Sequence, residues 1–161
     1  MLPAPFGRLS LHAQRWSLLR LEAFGARFGR GARLPAHLAT GERGELEALF
    51  FLRGLGYTIV ARRWRSAELR GDLDLVGWDG DRLCFIEVKA RTARDLAPAE
   101  SAVDRSKQDI LRLMARAFLR RLPRAPGGAR PAVEVRFDIV SVYLLGDVVQ
   151  CELFRDAFGW R

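Results

Sequence analysis

Apolar and polar positions alternate along this chain in a way that separates two helices from a set of strands. Glu45, Ala48, Leu49 and Leu52 fall at i, i+3, i+4 and i+7, the spacing of one helical face, and predict a helix over residues 42–54 that stops at Gly54 or Gly56. Tyr57 to Trp64 is rich in β-branched and aromatic residues and predicts a strand. Two more strands, Leu73–Trp78 and Leu83–Lys89, flank Asp79-Gly80, a strong hairpin signal. Asp104 is placed to cap a long helix from Arg105 to about Leu122, with Ile110, Met114, Ala117 and Phe118 as its apolar stripe. A Pro/Gly-rich loop over 123–131 then leads to a last long strand, Val133–Leu145, and residues 148–161 follow as a tail without assigned structure. The expected order is α-β-β-β-α-β, with no internal repeat.

The 161 residues suit one domain with an extension. Residues 1–40 differ from the rest: they hold six arginines and one acid, Glu22, and their weakly amphipathic stretch is broken by Gly25, Gly29, Gly31 and Pro35. We read them as a basic, loosely ordered extension; a transit peptide, a nucleic-acid-binding arm and an over-extended translation start are alternatives. The domain is expected over 41–161. No apolar run approaches a bilayer span. The formal net charge of +8 favours a polyanionic partner, nucleic acid before an anionic membrane, although an arginine-rich codon bias would give the same balance. Cys84 and Cys151 lack neighbours at metal-ligand spacing, and nothing points to an oxidising compartment. The expected location is the cytoplasm, which the resemblance given below makes a bacterial one.

Two positions stand out against this arginine-rich background. The 27 basic residues include only two lysines, Lys89 and Lys107. A lysine is a compact charge with a tunable pKa, whereas arginine is a planar fork that stays charged, so a lysine here marks work that guanidinium cannot do. Lys89 lies in the hairpin that also carries the acids. A two-residue loop at Asp79-Gly80 sets Asp72 opposite Glu87; a four-residue loop sets Asp74 opposite Glu87. Both registers put Asp72, Asp74, Glu87 and Lys89 on one face. Clustered carboxylates repel unless a cation lies between them, and oxygen ligands suit Mg²⁺. On spacing alone, a buried Glu–Lys or Asp–Lys bridge explains the pattern equally well.

The run Gly71-Asp72-Leu73-Asp74-Leu75-Val76, followed by Phe85-Ile86-Glu87-Val88-Lys89-Ala90-Arg91, resembles the YraN-like uncharacterised bacterial family. That family is placed in the PD-(D/E)xK nuclease superfamily and is similar to archaeal Holliday-junction resolvases. The resemblance spans about Gly41 to Phe158. It includes Gly41-Glu42-Arg43-Gly44-Glu45, Ala102-Val103-Asp104 with Lys107, and Arg136-Phe137-Asp138-Ile139-Val140. Asp72 departs from it, since the family usually has Glu there. The implied fold is α/β, a restriction-endonuclease-like core with a mixed sheet flanked by helices.

The implied activity is metal-dependent hydrolysis of DNA phosphodiesters, including branched or structured DNA, with Mg²⁺ or Mn²⁺ as cofactor. Asp74 and Glu87 would be metal ligands, and Lys89 would orient water or stabilise charge on phosphate. Glu45 matches the first-helix glutamate of the superfamily; a helix-start acid is its plainer reading. Lys107 is assigned to phosphate or, equally, to snorkelling from a first turn. Arg62, Arg63, Arg65, Arg91 and Arg94 would hold phosphates. Trp64 is read as a core or edge residue before a base-stacking one, and Asp138 as structural, paired with Arg136. A homodimer is admitted. The competing function is a non-catalytic nucleic-acid-binding protein that keeps the fold; a further one is an interaction protein whose basic arm touches membrane or ribosomal RNA.

Overall fold

The computed structural model describes residues 36–93, 103–123 and 132–160. Among these the chain forms α1 (Ala36–Gly54), β1 (Thr58–Trp64), β2 (Leu73–Asp79), β3 (Arg82–Arg91), α2 (Arg105–Arg120), β4 (Glu134–Leu145) and β5 (Val148–Phe154). The strands make one sheet in the order β1-β2-β3-β4-β5. Only β3 and β4 run parallel; the other neighbours are antiparallel. A parallel pair needs a crossover, and α2 supplies it. The arrangement is a mixed sheet flanked by helices, as a restriction-endonuclease-like core requires.

The sheet has an apolar layer on each face. Leu83, Phe85, Phe137 and Ile139 pack with Leu111, Met114 and Ala115 of α2. Cys84, Ile86, Val140 and Val142 pack with Ala48 and Leu52 of α1. Because both faces of β3 and β4 are covered, these strands read as nearly continuous apolar runs. A charge within them, such as Glu87, is therefore buried by the architecture. Trp64 packs edge-on against Phe118 at 5.2 Å, in agreement with its reading as a core or edge residue.

The structure differs from the sequence reading at two places and at a third selects one of the two registers that reading left open. The first helix begins at Ala36, six residues before the expected start, and runs through Gly41 and Gly44. It ends as predicted near Gly56, which has φ +96°. There the Tyr57 N–H donates to the Leu52 carbonyl at 3.0 Å and the Gly56 N–H to Arg53 at 3.1 Å, a paired cap that satisfies the last turn. The hairpin turn is Gly80-Asp81, with Asp79 paired to Arg82 and Trp78 to Leu83. That is the second of the two registers considered. Finally, part of the tail is a strand, β5, turned back on β4 at Gly146-Asp147. Its inward Val149, Cys151 and Leu153 alternate with exposed Val148, Gln150 and Glu152. The last residues also fold onto the core: Phe158 stacks on Phe137 at 4.8 Å and Trp160 meets it edge-on at 5.0 Å. Residues 1–35 and Arg94 lie outside the described residues.

Glycine at position 44 has a packing cause. A methyl group there would collide with the Cβ of Ala90, so the bare backbone is what lets α1 lie against β3. Gly44→Ala is expected to destabilise the protein by about 1–3 kcal/mol despite alanine's better helix propensity, through overpacking. Adding Ala90→Gly should recover most of the loss in urea denaturation. A stabilised single variant would refute the contact.

At the turn end of the sheet lies a buried polar network. Arg136 donates to Asp138 through Nε at 2.8 Å and to Asp79, Tyr57 and Asp138 through Nη2 at 2.7, 2.7 and 3.0 Å. The Asp156 N–H donates to Asp138 at 3.0 Å. The expected pairing of Asp138 with Arg136 is present, and its surroundings are structural.

Candidate active site

The opposite end of the β2–β3 hairpin carries the acids. Paired register between these strands stops at Leu75 and Ile86, while β3 continues to Arg91. Beyond that point the Val88 N–H takes the Asp74 carboxylate instead, with Oδ2 accepting at 2.8 Å. The strand end thus fixes Asp74 beside the last turns of β3. Glu87 is 3% exposed and lies on the α2 face with Phe85. Lys89, two residues on, shares that face and donates to Glu87 Oε1 at 2.9 Å.

Lys107 arrives from the other side of the site. Asp104 caps α2 as expected, its Oδ1 accepting from the Lys107 N–H at 2.8 Å. The Lys107 ammonium then lies 3.1 Å from the same Glu87 Oε1. Both lysines of the chain therefore meet on one carboxylate oxygen. The sequence reading offered phosphate contact or snorkelling for Lys107; the structure pairs it with Glu87.

The electrostatics show how tightly the acids are held. Burial, and next the charge of Glu87, push the Asp74 carboxyl up to about 7; the Val88 hydrogen bond and Lys107 pull the other way. For Lys107, burial lowers the pKa, but the charge of Glu87, its hydrogen bond and the charge of Asp74 outweigh it, so the net shift is upward. The folded chain binds the Asp74 proton more tightly than the unfolded chain does. This contribution to stability is present below about pH 4, the ordinary aspartate range, and is lost as pH rises towards 7. The stability of Asp74→Asn relative to wild type, in EDTA, should therefore rise by a few kcal/mol, on the order of 2–4, between about pH 4 and about pH 8. Denaturation curves at both pH values check this, and a constant difference would contradict it.

Among the described residues, Glu87 Oε2 and Ser141 Oγ are buried without a hydrogen-bond partner. Ser141 stands beside Lys89 in the β3–β4 register. An orphaned carboxylate oxygen next to a second carboxylate whose proton affinity is raised could hold a hard cation, and the all-oxygen donors fit Mg²⁺ or Mn²⁺ in chemistry. Among the described residues no third His, Cys, Asp or Glu completes a metal cluster. An octahedral ion held by Asp74 and Glu87 would take its other ligands from water or substrate oxygens.

The remaining expected residues are distributed unevenly. Glu45 is close enough for its charge to act on Asp74, but its oxygens are engaged by β1. Arg63 donates to Glu45 at 2.6 and 3.0 Å and to Glu42 at 2.6 Å; Arg62 reaches Glu45 at 3.5 Å. These two arginines, expected on phosphate, are tied into ion pairs with α1. Asp72, expected on the acids' face, pairs with Arg65 at 3.4 Å. Arg91 lies at the end of β3. There a cleft of about 580 Å³ is lined by Thr40 and Gly41 of α1 and by Val88, Lys89, Ala90 and Arg91 of β3. The cleft touches the site through Lys89; Asp74 and Glu87 do not line it.

The sequence profile of the uncharacterised protein family UPF0102 matches residues 44–142, from the close-packed glycine of α1 through most of β4. A UPF0102 protein of Koribacter versatilis (strain Ellin345) is 48% identical over 124 residues, covering 77% of this chain and 82% of that one. One from Solibacter usitatus (strain Ellin6076) is 46% identical over 118 residues, 73% of this chain and 84% of its own. A more distant relative in Rhodococcus opacus (strain B4) is 38% identical over 123 residues and is covered over 98% of its length. With the matched stretch containing Glu45, Asp74, Glu87, Lys89 and Lys107 together, the chain belongs to the uncharacterised protein family UPF0102.

Proposed function

We propose that this protein is a metal-dependent endonuclease that hydrolyses DNA phosphodiester bonds, with branched or structured DNA as the first substrates to test. The observation that carries the reading is the pair Asp74 and Glu87 in a largely dry site, with the Glu87 Oε2 lone pairs unused and Lys89 alongside. A bound divalent ion would supply an activated water and charge on the leaving oxygen. The protein's own part is to hold the carboxylates in place: Val88 fixes Asp74, and the β3–β4 ladder fixes Glu87. Lys89 sits where the site meets the cleft and is placed to receive a phosphate oxygen. Incubating the protein with single-stranded, duplex and branched DNA, with Mg²⁺, Mn²⁺ or EDTA, tests the reading; it requires cutting that EDTA abolishes.

A second reading, a nucleic-acid-binding protein without catalysis, draws on the two lysines that already neutralise Glu87. It gains if metal-loaded protein binds branched DNA and never cuts it. No helix among the described residues is long and apolar enough to cross a membrane. The net charge of +8 supports a polyanionic partner. DNA affinity, followed by fluorescence anisotropy, should fall at least about tenfold between roughly 50 and 200 mM salt as phosphate contacts release counterions. An affinity that stays flat would favour a protein partner.

A further inference from the structure

We propose that Lys107 is a displaceable counter-ion: it neutralises Glu87 while no metal ion is bound and moves to a substrate phosphate when one enters. The proposal rests on the metal-dependent reading above and gives the second lysine a task within it.

The geometry is over-supplied with positive charge at one atom. Lys89 and Lys107 lie 2.9 and 3.1 Å from Glu87 Oε1, while Oε2 of the same carboxylate, also buried, has no donor. One ammonium would neutralise Glu87. The second is surplus unless it answers Asp74, whose carboxyl, among the described residues, accepts only the Val88 N–H. A divalent ion between Asp74 and Glu87 would bring two further charges next to both ammoniums. Like charges at such separations repel, the more so beside a carboxylate that is itself buried. One lysine must then give way.

Lys107 is the one built to move. Lys89 is two residues from Glu87 on the same strand and is held in register with Ser141, so its Cβ stays on the face of Glu87. Ser141 also offers Lys89 a buried hydroxyl that has no other partner. Lys107 comes from a different element. Its backbone N–H is pinned by Asp104, so its Cα stays put while the four-carbon stem pivots. Its side chain is 30% exposed, as open to a phosphate as that of Lys89 at 29%, so what separates the two is the element that carries each. Moving it breaks one ion pair and leaves the fold intact. Metal and phosphate would then favour each other's binding, because metal frees the ammonium that phosphate needs.

The chain holds only two lysines, so protein labelled with ¹⁵N-lysine shows two side-chain ammonium signals, assigned with Lys107→Gln or Lys89→Gln. In wild type, saturating Mg²⁺ should speed the proton exchange of the Lys107 ammonium, while the Lys89 ammonium, shifted by the ion's charge, keeps its slow exchange. A short phosphorothioate duplex that resists cutting should slow the exchange again. By calorimetry without DNA, Lys107→Gln should bind Mg²⁺ at least about tenfold more tightly than wild type, since a competing charge is gone. The proposal is overturned if Mg²⁺ binds wild type and the variant equally, or binds the variant more weakly, or if the proton exchange of Lys89 speeds up in place of that of Lys107. The ammonium measurement uses the wild-type chain, so it stands even if Lys107→Gln folds poorly. If Mg²⁺ binds neither wild type nor variant, the metal-dependent reading itself fails, a result distinct from metal binding that leaves Lys107 on Glu87.

Discussion

Asp74→Asn and Glu87→Gln should each lower metal-dependent cleavage by about 10³-fold or more while DNA binds as tightly as before or more tightly. Each change removes a ligand charge and keeps size and hydrogen-bonding capacity. Losing one charged ligand forfeits several kcal/mol of the stabilisation that a bound ion gives, which sets the scale of the rate loss. Asparagine at 74 can still accept the Val88 N–H through its carbonyl oxygen, so the strand end keeps its fastening. Binding survives because carboxylates facing a polyanion repel it. Lys89→Arg should fail as well: guanidinium pairs readily with carboxylates, but its longer planar fork shifts the charge from the point that the compact ammonium holds 2.9 Å from Glu87 Oε1. Thermal melts run beside the cleavage assay separate lost chemistry from lost fold. A folded Glu87→Gln protein that cuts as well as wild type would remove the acids from the mechanism.

The other large effect is on stability and lies at the far end of the sheet. Arg136→Ala should cost about 3–5 kcal/mol, because it leaves Asp138, which is fully buried, without its main partner. Tyr57→Phe, which removes one hydroxyl from the same network, should cost only about 1 kcal/mol. Asp79 responds to pH in the opposite sense to Asp74. Its hydrogen bond to Arg136 lowers its pKa, so the pair contributes above the ordinary aspartate range and is lost as pH falls through the lowered value. Urea denaturation of the two variants at neutral pH tests the ranking. Equal losses would mean that the arginine's charge is irrelevant there.

Much of this was legible in the sequence because strand alternation and helix capping are local rules. The hairpin strands, the cap at Asp104 and the shared face of Glu87 and Lys89 follow from neighbours in the chain. Two of the hairpin's features did not. Turn chemistry alone left two registers open, and packing on both faces selects Trp78 opposite Leu83. Asp72 has the parity of Asp74, but it lies before β2 begins and turns to Arg65. The destinations of Arg62, Arg63 and Lys107 depend on elements distant in sequence, Glu42 and Glu45 on α1 and Glu87 on β3, so no periodicity could reveal them. β5 was missed although its signals were present. Gly146-Asp147 precedes an alternation of Val149, Cys151 and Leu153, but the stretch is short and half exposed.

The crossover that makes β3 and β4 parallel also dictates when the site can exist during folding. The β2–β3 hairpin joins residues close in sequence and can form early, bringing Asp74 and Glu87 into proximity. The β3–β4 ladder joins Glu87 to Ile139, about fifty residues on, and must wait for a long loop to close with α2 inside it. Lys107 rides on that helix and Ser141 on the far strand. The acids therefore come together before their counter-charge from α2, and until the slowest pairing is complete the nascent hairpin answers two carboxylates with the one ammonium of Lys89.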